Sequence, residues 1–235
     1  MRPIQWHVKS RWTSGSFDQP IMVTREAREA LLWWTSPLNL SQGLPLDPPV
    51  PSVTVTTDAS IEGWGGHSQI GDTNLLFSGI WSPQERSTCH INLLELKAVK
   101  LTLMKLRNSI QSKSVKVECD NTTAVSYINR QGGTVSRALC QEAVIVHEWA
   151  RANQVRLFAV HRPGVCNELA DYLSRNRPDP TEWSLAQASY NSLTKRWGSP
   201  QLDLFASPVN HKAALWFSRL PHPGAAGVDA FNQSW

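Results

Sequence analysis

The chain has 235 residues, 41% of them hydrophobic and 18% charged, with a net charge of +4 and a pI of about 9.0. That length supports one sizeable core with appendages or two small domains, and the composition is that of a globular protein rather than a disordered or collagenous one. The sequence has no apolar run long enough for a membrane span and no signal-peptide layout, so an intracellular chain, cytoplasmic or nuclear, without a membrane partner is expected.

The four cysteines form no CxxC pair, which argues against zinc and against a disulfide framework. The basic balance permits a nucleic-acid partner without requiring one. Eleven tryptophans serve either packing or base stacking.

In chain order, residues 1–51 read as an arm. Thr24 is placed to cap a helix, Glu26 lies in its first turn, and Ala27, Ala30, Leu31 and Trp34 share a face until Pro37 ends it. Leu44 to Pro51 is proline-rich and reads as an extended linker. The β-branched run Val53-Thr-Val-Thr-Thr57 predicts a strand ending on Asp58. The glycine-rich stretch from Ile61 to Ser68 and the run from Asn74 to Trp81 predict two more strands in an antiparallel meander, the glycines marking a bulge or close approach of another backbone.

His90 to Leu106 predicts a helix apolar nearly all round, hence mostly buried. Glu95 is the one acid between Arg86 and Val117, and it shares a face with Asn92. A lone carboxylate on a buried helix is costly unless it is paired or metal-bound, or reaches out at a rim. Lys97, Lys100 and Arg107 form a separate stripe that reads as a solvated or snorkelling face.

Ser114 to Asp120 is a further strand ending on aspartate, followed by a helix over Thr122–Arg130 that Gln131-Gly-Gly133 stops. A helix follows from Ser136 to Asn153, then a strand from Val155 to Val160 and a loop from His161 to Asn167. Asn167 is placed to cap a last helix carrying Asp171. This order is α/β: a five-stranded mixed sheet, three antiparallel strands then parallel ones, flanked by helices. Such a layout can gather Asp58, Glu95, Asp120 and Asp171, and four carboxylates at one point require cations to offset their repulsion. Hard oxygen ligands favour Mg2+ or Mn2+.

The spacing of Thr57-Asp58-Ala-Ser60, Asn92-Leu-Leu-Glu95-Leu96, Asp120-Asn-Thr-Thr-Ala-Val125, and His161 with Asn167 and Asp171 at six and ten residues on resembles type 1 ribonuclease H. It is more similar still to the ribonuclease H domain of reverse transcriptases. Gly63-Trp-Gly65, His90 to Leu96, Tyr127 to Gly133, Ala170 to Arg175 and Asp203 to Ser207 resemble DIRS-like, tyrosine-recombinase retrotransposons. The ribonuclease H resemblance covers about residues 52–176.

The resemblance implies a ribonuclease H-like fold and a nuclease that hydrolyses the RNA strand of RNA/DNA hybrids during reverse transcription. Asp58, Glu95, Asp120 and Asp171 correspond to the metal-binding catalytic acids, holding two Mg2+ ions about 4 Å apart, with Mn2+ as a substitute. His161 corresponds to a residue assisting proton transfer or product release, and Asn92, Asn121 and Asn167 to substrate contacts. The arm resembles the end of a polymerase portion, making the rest of a parent polyprotein a partner.

One departure is the segment 130–137, too short for the basic handle of bacterial members, which implies weak hybrid binding by this chain alone. Integrase- or transposase-like DNA nucleases share the fold but lack a first-helix glutamate such as Glu95. A non-catalytic, domesticated nucleic-acid scaffold is the other alternative. Residues 177–235 read as a small packing module, in which Asp203 and Asp229 are not assigned a site.

Overall fold

The computed structural model describes residues 2–12, 15, 18, 20–41, 50–176, 183–222 and 224–233. The predicted linker at 44–51 and the proline-rich break at 178–183 fall mostly outside those residues. Among the described residues the arm holds three helices: α1 (Arg2–Arg11), α2 (Arg25–Leu32) and α3 (Pro37–Ser41), with a 3-10 turn over Trp33–Thr35 before α3. Thr24 caps α2, accepting from the Ala27 amide at 3.4 Å. The helical run breaks at Ser36, extended just before Pro37, and Pro37 is also the first residue of α3, where its missing N–H costs no hydrogen bond.

The central sheet is built from β1 (Val53–Ala59), β2 (Gly63–Ile70) and β3 (Thr73–Ile80), an antiparallel meander. Two short helices, α4 (Pro83–Thr88) and α6 (Arg107–Ile110), flank the long α5 (Ile91–Lys105). Then come β4 (Ser114–Cys119), α7 (Thr122–Asn129), α8 (Arg137–Ala152), β5 (Arg156–His161) and α9 (Glu168–Arg175). The strand order is β3-β2-β1-β4-β5, with β4 parallel to both β1 and β5. This is a five-stranded mixed sheet flanked by helices, the ribonuclease H-like arrangement.

Alternation along the strands decides what lies on each face. Val53 and Val55 of β1 and Val115 and Val117 of β4 join Leu96, Val99 and Leu103 of α5 and Ala143 and Val146 of α8 in the main core. Trp64, Trp81, Leu94 and Ala98 form a second cluster beside it. Glu95 is buried along with the apolar residues of α5. The basic stripe is partly covered: Lys97 and Lys100 of α5 are half-buried with their charged ends paired, whereas Arg107, the first residue of α6, is exposed. Lys97 pairs with Glu85 at 2.7 Å, Lys100 pairs with Glu142, and Arg107 Nε donates to Asn153 Oδ1 at 2.8 Å.

The glycines of β2 admit helices on both sides of the sheet. A Cβ on Gly65 would sit 2.4 Å from the Ala170 carbonyl oxygen of α9, and one on Gly66 would sit 2.2 Å from Thr102 Oγ1 of α5. The close approach expected there is made by the protein's own helices.

The tail holds α10 (Gln187–Trp197) and a second sheet of β6 (Leu202–Ala206), β7 (Leu215–Ser218) and β8 (Gly227–Val228), all parallel. It meets α9 through Tyr172 and His222, whose rings lie 5.6 Å apart edge to face.

Candidate active site

Because β1 and β4 are parallel neighbours, both run their chains to the same edge of the sheet. β1 carries Asp58 there, and β4 hands over to Asp120. α5, seated across the sheet by its apolar surface, supplies Glu95. One carboxylate oxygen from each of Asp58, Glu95 and Asp120 lies within 4.8 Å of the others, the one group of this kind among the described residues.

Asp58 and Glu95 are each 4% exposed. Burial, with the neighbouring carboxylates adding to it, pushes Glu95 up to about 9. Burial also raises Asp58, to about 6, against a hydrogen bond from Ser174 that favours its charged form. Glu95 Oε2 is buried with no hydrogen-bond partner among the described residues. An acid held this way either stays protonated or meets a cation. Three converging hard oxygens with an orphaned one among them fit a divalent metal ion.

The fourth expected acid stands apart. Asp171, on α9, is 44% exposed at its side chain and accepts from Arg175 Nε at 2.7 Å. It lies near enough for its charge to raise both Asp58 and Glu95, but not within the cluster.

His161 is the last residue of β5 rather than part of a loop. It is exposed and pairs in register with Cys119, one residue before Asp120. The backbone continues that pairing, since the Arg162 amide donates to the Cys119 carbonyl at 2.9 Å.

Asn121 caps α7 by accepting from the Ala124 amide at 2.9 Å. Its Nδ2 donates to Asn92 Oδ1, also at 2.9 Å, so the two asparagines form one amide pair beside Glu95. Asn167 does not use its side chain to cap α9. It is 2% exposed and its Nδ2 donates to the Thr57 carbonyl at 3.1 Å and to Asp58 Oδ1 at 3.3 Å.

Ser174 lies in the Ala170–Arg175 stretch, but the sequence does not single it out as a site residue. Its hydroxyl lies 2.7 Å from Asp58 Oδ2. No periodicity marks it, although its place three residues after Asp171 puts both on one face of the last helix. Elsewhere on the face of β1 that carries Asp58, a groove of about 560 Å3 lined by Thr54, Thr56, His67, Asn74 and Arg162 contains none of these acids.

No family model matches the chain, and no curated protein matches it. Solved structures do resemble it. Ribonuclease H1 of the halophilic archaeon Halobacterium salinarum is 18% identical with a TM-score of 0.41, covering 52% of this chain and 92% of that one. LC11-RNase H1 in complex with an RNA/DNA hybrid is 17% identical with a TM-score of 0.42, covering 52% and 93%. Prototype Foamy Virus protease–reverse transcriptase is 10% identical with a TM-score of 0.34; the match covers 68% of this chain and 24% of that longer one.

Proposed function

We propose that this chain is a metal-dependent nuclease that hydrolyses the RNA strand of RNA/DNA hybrids, and that it serves reverse transcription of a DIRS-like retroelement. The observation that carries the reading is the convergence of Asp58, Glu95 and Asp120, two of them buried, within 4.8 Å at one edge of the sheet. Without a cation, burial and mutual repulsion hold Glu95 and Asp58 toward their protonated forms, and a divalent ion at that point would let all three acids ionise together. In this reading residues 52–176 are the catalytic unit and residues 1–51 belong with a polymerase portion.

Asp58, Glu95 and Asp120 hold the metal, Mg2+ by preference, with Asp171 joining them. A cation there supplies positive charge beside the scissile phosphate and makes bound water more acidic. The buried walls around Glu95 keep bulk water from screening that charge. His161, exposed at the end of β5, is free to exchange a proton at its imidazole with the reacting groups or the departing strand. The Asn92–Asn121 pair presents amide groups toward the groove of a bound duplex, where the 2′-hydroxyl distinguishes RNA from DNA.

The test is Mg2+-dependent cleavage of a labelled RNA/DNA hybrid by the unaltered chain, with Asp58→Asn and Glu95→Gln as controls. Cleavage lost in both variants supports the reading. No cleavage by the unaltered chain favours a non-catalytic scaffold, and cleavage of duplex DNA instead favours an integrase-like nuclease. Glu95, buried within the carboxylate group, speaks for the first reading. Hybrid binding by the isolated chain should be weak, and a nanomolar Kd at physiological salt contradicts that.

A further inference from the structure

We propose that Ser174 and Asn167 are positioning residues that clamp the Asp58 carboxylate from the two ends of α9, and that Gly65 is glycine so that α9 comes close enough to do it. The inference rests on reading the Asp58 cluster as a metal centre.

Each oxygen of Asp58 has its own donor. Ser174 Oγ lies 2.7 Å from Oδ2, and Asn167 Nδ2 lies 3.3 Å from Oδ1. The Ser174 hydroxyl has a single proton and two acceptors in reach, Asp58 Oδ2 and the Asp171 carbonyl at 2.9 Å. An ionised carboxylate is the stronger acceptor, so the proton goes to Asp58. Asn167 has two amide protons and gives the other to the Thr57 carbonyl. A carboxylate oxygen accepts about two hydrogen bonds, so one site per oxygen remains open for a cation. Rotation of Asp58 is blocked from both sides, while its capacity to ligate is kept.

The clamp depends on where α9 sits. Gly65 is the residue paired with Asp58 across β1 and β2. A Cβ there would lie 2.6 Å from the Ser174 amide nitrogen and 2.6 Å from Leu173 Cβ. Ser60 at the end of β1 donates to the Ser174 carbonyl at 2.8 Å, tying down the same turn of α9. Ser174 and Asn167 are 3% and 2% exposed, so water does not replace either donor.

The experiment titrates Mg2+ alone, and Mn2+ alone, into the full chain by calorimetry. It compares the unaltered chain, Ser174→Ala, Asp58→Asn and the double variant, and follows urea unfolding of each without metal. Loss of an outer hydrogen-bond partner weakens metal affinity by roughly 10- to 100-fold. Ser174→Ala is expected to show that loss, and none further on the Asp58→Asn background. Ser174→Cys keeps the volume and a weak donor, recovers part of the affinity, and stands in if the alanine variant does not fold.

A lower unfolding midpoint with unchanged cation affinity in Ser174→Ala makes the serine merely structural and overturns the proposal. An equal loss on both backgrounds overturns it too. An unaltered chain without Asp58-dependent cation binding removes the metal reading itself, an outcome distinct from the other two.

Discussion

Both sheets of this chain place aspartates at or beside strand ends, and they treat them in opposite ways. In the five-stranded sheet, Asp58 and Asp120 converge with Glu95, and Glu95 Oε2 is left without a hydrogen-bond partner among the described residues. In the three-stranded tail sheet, Asp203 accepts from the Lys212 amide at 3.0 Å, and Asp229 accepts from the Phe231 amide at 3.1 Å and from Asn232 Nδ2 at 2.7 Å. The tail aspartates are turn-forming residues whose oxygens go to nearby polar groups. A strand-end aspartate is therefore no site in itself. It becomes one where the fold aims other acids at it and leaves one oxygen of the group, here Glu95 Oε2, without a donor among the described residues.

The widest separation between the two regions should appear in activity. Asp58→Asn and Glu95→Gln are expected to lower cleavage of a labelled hybrid by more than about 100-fold, beyond the loss typical of an outer-shell partner. Asp203→Ala and Asp229→Ala are expected to leave cleavage within about twofold and to cost stability of about 1 kcal/mol each, the scale of a lost cap. A tail variant that loses cleavage while remaining folded breaks the comparison.

Stability against pH sharpens the same contrast without nucleic acid. Asp58 and Glu95 are raised in the folded state to about 6 and about 9, from ordinary values of 3.8 and 4.5. The metal-free folded chain thus holds protons that the unfolded chain has released. The stabilising contribution of each acid is complete below its ordinary value. It is lost as pH rises through the folded one: from about 4 to 6 for Asp58 and from about 4.5 to 9 for Glu95. Stability in chelator should fall across that range by up to about 1.4 kcal/mol per pH unit for each extra proton held. Glu95→Gln is expected to flatten the upper part of the curve, and saturating Mg2+ to do so in the unaltered chain. A flat curve in chelator contradicts the burial of these acids.

A smaller effect tests how α9 is seated. Gly65→Ala forces a Cβ to within 2.4 Å of the Ala170 carbonyl oxygen, an overpacking that costs roughly 1–3 kcal/mol in urea unfolding. If α9 yields by moving outward, Asp58 loses its donors and cation affinity falls with stability. Unchanged stability means that α9 does not bear on β2 as described.

Much of this was legible in the sequence, and the rest was hidden for physical reasons. The strand ending on Asp58, the buried helix carrying Glu95 and the strand ending at Asp120 each announce themselves within their own segment, by β-branched runs or by apolar periodicity. The mixed sheet followed from their order.

Relations between segments did not announce themselves. The glycines of β2 signal that something comes close, but only the fold shows α9 on one side and α5 on the other. Asn167 sits where a helix cap belongs, yet its amide is drawn to Asp58 on a distant strand. Pro37 reads equally as a stop and as a first residue, and it is both: Ser36 before it is extended, and α3 starts on it. The short helix α4 was within reach, since Ser82 and Glu85 form a capping box that the sequence displays. For α1 and β7 no comparable signal stood out.

Asp171 lies between the two cases, and its pairing gives the smallest expected effect. It belongs to the expected acid set, but its Oδ1 accepts from Arg175 one turn along α9, as a tail aspartate accepts from its neighbours. Exposed pairs at this spacing contribute about 0.3–0.5 kcal/mol. Arg175 is 62% exposed at its side chain, so little holds the pair together. Arg175→Ala should change urea stability by no more than that.

The same free energy, returned to a cation that no longer competes for Asp171, corresponds to about a twofold gain in Mg2+ affinity. The calorimetric titration of Mg2+ into Arg175→Ala, with nucleic acid absent, reads it directly. A gain places Asp171 among the acids that bind, held in reserve by its neighbour. A loss of affinity means that the pair orients Asp171 toward the cluster. An unchanged value groups Asp171 with Asp203 and Asp229, as a surface acid already satisfied where it stands.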